Sequence, residues 1–128
     1  MNITLWVVQA LLAAAFLAHG WLYLSPPPEM VAQLNAVIPP AFRVFIGMAE
    51  VLAAAGLILP GVTGIMPWLV PAAAAGLMMV VASATVFHAT RAEFGPALVT
   101  VVLFALAAFV AYMRWTVLPI RPRARTRA

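Results

Sequence analysis

The chain has 128 residues, of which 66% are hydrophobic and 8% charged, with seven basic residues against three acids and a formal charge of +4. Soluble domains carry roughly a quarter charged residues, so this is the composition of a membrane protein. The absence of cysteine excludes disulfides, thiolate metal sites and dithiol redox relays. All the basic residues are arginines and five of them fall between Arg114 and Arg127, which makes the charge a property of a tail, not of a nucleic-acid-binding surface.

Four apolar segments are each about as long as the roughly 20 helical residues that cross a ~30 Å hydrocarbon core. The first, residues 3–24, begins without a basic region and runs too long for a signal-peptide core, so it is expected to be a span. SPPPE at residues 25–29 and IPP at residues 38–40 bracket the loop that follows, because proline removes a backbone donor and restricts its predecessor. The second span is expected at residues 42–59, followed by the uncharged hairpin PGVTGIMP. The third covers residues 68–87, and HATRAEFGP leads into the fourth at residues 97–115. The expected fold is therefore all-α: a four-helix membrane bundle forming one domain over residues 1–115, with a basic, disordered tail at residues 116–128. Because that tail carries the excess of arginine, the positive-inside rule places both termini in the cytoplasm.

This topology sorts the polar residues by depth. His19, near the end of the first helix, Arg43 and Glu50, near the start of the second, and His88, at the end of the third, all fall in the outer half of the bundle. At ~100° per residue, Arg43, Gly47, Glu50, Ala54 and Leu57 share one narrow face of the second helix. An acid facing lipid is costly, so this face is expected to point inward. Side chains lean toward the helix N-terminus, which carries Arg43 outward and makes His19, His88 or Tyr23 a nearer partner for Glu50 than Arg43. Gln9, Ala13, Phe16, Gly20 and Tyr23 form the matching stripe of the first helix, with His19 beside it. Gly20, Gly47, Gly56 and Gly76 are candidates for close helix packing.

Each of these residues also has a plainer reading. Glu50 is a functional carboxyl or a paired group that fixes helix register, and Arg43 is a ligand contact or an interfacial anchor. His88 either handles protons or caps a helix end, and His19 is balanced between the two kinds of role. Gln9 reads as an interhelical hydrogen bonder, and Trp6, Trp21, Trp68 and Trp115 as belt residues at the membrane surface. Two histidines and a glutamate on three helices lack the spacing of a metal site, so no metal is expected.

ALLAAAFLAHGWLYL, then FRVFIGMAEVLAAAGLILP, then a small-residue helix ending in histidine and followed by RAE resemble the DoxX-like family of small four-helix bacterial membrane proteins over residues 5–112. Arg43, Gly47, Glu50, Gly56, Leu57 and Pro60 carry the specific part of the resemblance. It implies a bundle in the cytoplasmic membrane and, for some members, association with oxidoreductases that pass electrons to quinone. Tyr23 departs from the family pattern, which usually has lysine after the first-helix glycine. Three functions remain open: a redox-associated subunit whose polar cluster binds a quinone headgroup, a non-catalytic assembly protein, and a small proton-coupled transporter. None makes the chain an enzyme by itself. The expected partners are the lipid bilayer and other membrane or redox subunits, with a homo-oligomer compatible with all three.

Overall fold

A computed structural model describes residues 1–124, and the end of the tail, residues 125–128, lies outside the described residues. The described chain is helical: α1 (Asn2–Leu24), α2 (Pro28–Val37), α3 (Pro40–Thr63), α4 (Leu69–Thr90) and α5 (Phe94–Tyr112), the last continued by a π-helical turn at Met113–Val117. Four of these elements are long and apolar enough to cross a membrane: Asn2–Leu24, Pro40–Thr63, Leu69–Thr90 and Phe94–Val117. In space α1 packs on α3, α3 on α4 and α4 on α5, and α5 closes the ring against α1. Leu12, Phe16, Ala54, Leu57, Ala74, Leu77, Val81, Ala107 and Val110 fill the centre. Leu11, Leu52, Met79, Leu98 and Val99 stand outward, fully half exposed or more, a surface suited to acyl chains and not to water.

The helix boundaries follow from proline and glycine. Pro28 and Pro40 occupy first-turn positions, where a missing N–H costs nothing. Gly64 ends α3 at φ 68°, a left-handed conformation that glycine adopts without penalty, and its N–H caps the Pro60 carbonyl. Two features differ from the sequence expectation. The proline-bracketed loop contains α2, with Met30, Val31, Leu34 and Ile38 half-buried and Glu29, Gln33 and Asn35 exposed. It buries no residue fully, so a short amphipathic helix hides inside what reads as punctuation. In addition, α3 passes through Pro60 instead of stopping at Leu59. A proline one turn from a helix end removes a single ladder bond, the one to the Gly56 carbonyl, and the last turn survives that loss.

Beyond the π-turn, residues 118–124 lie across the end of α3, where the Arg123 N–H reaches the Gly64 carbonyl at 2.9 Å. Gly61 makes room for this: a Cβ there would sit 2.9 Å from Ile120 and 2.7 Å from Trp6.

Candidate functional site

The ends of α1 and α3 that meet at Gly20 and Gly47 hold most of the expected polar residues. A Cβ on Gly20 would stand 2.8 Å from the Gly47 carbonyl, and one on Gly47 would stand 2.9 Å from the Gly20 carbonyl, so the two backbones touch. This contact brings His19, the residue before Gly20, face to face with Glu50. His19 Nδ1 and Glu50 Oε2 are 2.7 Å apart. Only 4% of the Glu50 side chain is exposed, whereas 48% of His19 is, so a buried carboxyl is reached from outside through an imidazole. The tautomer that donates from Nδ1 leaves Nε2 as an acceptor, and Nε2 has no hydrogen-bond partner among the described residues.

Tyr23 packs its ring on His19, with centroids 4.4 Å apart. Arg43 is buried and donates to the Tyr23 carbonyl, one of the last carbonyls of α1 and without a helical donor. A cation there also meets the negative end of the α1 dipole. Its Nε is buried with no partner among the described residues. Arg43 and Glu50 form no salt bridge, as the lean of their side chains predicts. The buried residues of α3 are Arg43, Gly47, Glu50, Ala54, Leu57 and Pro60, the expected face with Pro60 added.

His88 is not part of this cluster. Its Nδ1 lies 2.6 Å from Glu93 Oε2, and Glu93 also receives Arg91 Nε at 3.0 Å, so the α4–α5 turn holds a surface network of its own. The His88 hydrogen bond, and after it that of Arg91, hold the Glu93 carboxyl below its ordinary value of 4.5. The polar site is thus built by two helices and not three. Gly76 also needs correction: a Cβ there meets nothing within 4 Å, so it faces outward and packs no helix. Gly56 does pack, its missing Cβ leaving room for Ala73 of α4.

Sequence reasoning missed a second polar centre at the opposite end of the bundle. Arg114, read only as a tail charge, is 3% exposed. Its Nε donates to Gln9 Oε1 at 2.7 Å, and its Nη1 donates to Asn2 Oδ1 at 2.7 Å and to the Leu118 carbonyl at 3.2 Å. Gln9 in turn donates to the Leu57 carbonyl at 2.7 Å, beside the carbonyl that Pro60 leaves without its donor. The interhelical role expected of Gln9 is therefore present. Gln9 was also the available signal, since a buried amide on α1 requires partners at its own depth. Trp6 carries the Arg114 guanidinium over its ring at 5.2 Å, while Trp21, Trp68 and Trp115 are exposed near helix ends. Thr85 of α4 and Thr100 of α5 add a hydroxyl bond at 2.8 Å that the sequence did not suggest.

Among the described residues no group of three His, Cys, Asp or Glu side chains could hold a metal. Two shallow apolar surface grooves, about 260 and 280 Å³, lie along α5, lined by residues such as Leu98 and Val102 or Ala111 and Trp115. A four-helix bundle with an apolar exterior and polar groups confined to its interior and ends defines a multi-pass helical membrane protein. The chain matches the sequence profile of the DoxX-like family over residues 7–110, and it belongs to that family. Comparison with curated proteins and with solved structures gave no match.

Proposed function

We propose that this protein is an accessory membrane subunit of a redox system, and that its His19–Glu50 pair binds the headgroup of a quinone dissolved in the bilayer. The observation that carries the reading is the asymmetry of the pair, a buried carboxyl bonded to an imidazole that is half exposed. The polar set suits a quinone and its quinol: among the described residues His19 Nε2 is free to accept from a headgroup hydroxyl, the Tyr23 hydroxyl is free to donate or accept, and Arg43 Nε is a spare buried donor. A bound quinone would supply the electron-carrying chemistry, with a partner oxidoreductase as the other electron carrier. His19 would orient the headgroup oxygen and take its proton, and Glu50 would fix the imidazole tautomer and share that proton. By the positive-inside rule the Arg114 end faces the cytoplasm and the Glu50 end faces outward, in the cytoplasmic membrane.

An assembly role is the second reading, and the Gly20–Gly47 contact favours it, because the same pair also staples α1 to α3. Glu50→Gln separates the two. The redox reading expects a folded protein that still recovers its membrane partners but loses quinone binding or quinone-linked turnover by tenfold or more. If quinone binding and turnover persist in an assembled Glu50→Gln protein, the proton-accepting role is wrong.

A further inference from the structure

Arg114 is a buried cation with no acidic partner among the described residues. The three glutamates are placed elsewhere: Glu50 pairs with His19, Glu93 with His88 and Arg91, and Glu29 lies in the first turn of α2, at the other end of the bundle. Arg114 meets only neutral oxygens, those of Gln9, Asn2 and Leu118. A guanidinium withdrawn from water without a counter-charge is expensive, and more so in a span than at a soluble surface. The Arg121 and Arg123 side chains that follow it at this end are exposed and only add positive potential.

The arrangement of its five N–H groups is specific. The Nε edge is locked: Nε bonds Gln9, and Gln9 is itself anchored to the Leu57 carbonyl, while the guanidinium face rests on Trp6. What remains is the terminal fork. Nη1 is held by the side chain of Asn2, an exposed residue, and by a carbonyl in the non-helical segment after the π-turn. Nη2 is buried with no partner among the described residues. A fork fixed in direction, with one donor unused and the other on an exchangeable amide, matches two oxygens of a phosphate group.

We propose that the Nη1–Nη2 fork of Arg114 binds a phosphate oxyanion, with the Asn2 carboxamide acting as the displaceable neutral group that covers the fork in its absence. The position in the last turn of a span, beside Trp6 and ahead of Arg121 and Arg123, suits the phosphodiester of an anionic lipid headgroup. A soluble phosphate would present the same oxygens.

The test is thermal unfolding of the delipidated full chain in nonionic detergent, titrated with short-chain phosphatidylglycerol, with the phosphatidylcholine of the same chains, and with inorganic phosphate. The wild type is expected to gain roughly 5–10 °C at a hundredfold excess of phosphatidylglycerol over its Kd, and much less from phosphatidylcholine. An equal gain from inorganic phosphate would keep the oxyanion site and assign it a soluble source. Asn2→Asp places a carboxylate on the fork, so its unliganded midpoint should stay level or rise and its response to both anions should vanish. Arg114→Lys keeps the charge but not the fork, and its response should fall at least severalfold. A wild type that responds equally to both lipids, or to none of the three probes, would overturn the proposal. So would an Asn2→Asp protein that keeps the full response.

Discussion

Replacing Glu50 by Gln keeps a hydrogen-bonding shape beside His19 and removes the carboxyl. The loss in stability should be modest, about 1–2 kcal/mol, because one bond to an ionisable group is weakened while its partner stays half exposed. Thermal or denaturant unfolding in detergent checks this, and a loss above about 4 kcal/mol would point to a purely structural carboxyl. Glu93 gives a pH prediction at a different place. Its folded pKa lies below 4.5, so the stability it lends the α4–α5 turn is fully present above that value and is lost as the pH falls through the lower, folded one. Amide exchange at Glu93, whose N–H bonds the His88 carbonyl, should therefore accelerate in acid beyond the ordinary pH dependence of exchange, and Glu93→Gln should abolish the excess. These residues were unequally legible in the sequence. Topology put His19 and Glu50 in the outer half of antiparallel spans, but it put His88 there too and left His19, His88 and Tyr23 open as partners of Glu50; only the packing of α1 on α3 selects His19. Arg114 was not legible, because its partners Gln9 and Asn2 are 105 and 112 positions away and the tail arginines hid it among topology charges.

Helix contacts rank the glycines. Gly20→Ala and Gly47→Ala each force a methyl group against a backbone carbonyl, which cannot swing aside, so α1 and α3 must part. Each should cost about 1–3 kcal/mol and also lengthen the His19–Glu50 bond. Gly76→Ala meets open space inside α4 and should stabilise by about 0.5–1 kcal/mol through helix propensity alone. Unfolding midpoints of the three variants check the ranking, and an equal loss in all of them would contradict it. Gln9→Leu leaves the buried Arg114 Nε without its partner and should destabilise by about 2–4 kcal/mol, more than Glu50→Gln. The four spans were readable because each is a long apolar run between breakers. The helix α2 was not, because ten residues without a fully buried side chain leave only a weak periodic signal between two proline clusters. Nor was the continuation of α3 through Pro60, since a proline near a helix end can either terminate it or cost it one bond.

The bundle as a whole has no cysteine, so single cysteines can be introduced as topology reporters without a background. With the proposed orientation, Thr90→Cys should react with an impermeant maleimide on intact cells, and Met66→Cys only after the membrane is opened. The reverse pattern would invert the bundle and place the His19–Glu50 pair on the cytoplasmic side. The membrane class, the number of spans and the family were all present in composition and in the α1 and α3 segments. The tie of residues 118–124 to Gly64 was hidden, because a backbone bond carries no residue signature. The burial of Glu50 has one more consequence. It stands ten residues beyond Pro40, roughly 15 Å along α3 at ~1.5 Å per residue, so a proton reaching it from the nearer surface crosses part of the transmembrane electric field. If that part is about a third, 100 mV acts on a unit charge held at that depth with roughly 0.8 kcal/mol, from ~2.3 kcal/mol for a full crossing. Charge carried by a ligand bound at the pair would thus feel the membrane potential, a force that an energised membrane supplies and a detergent micelle does not.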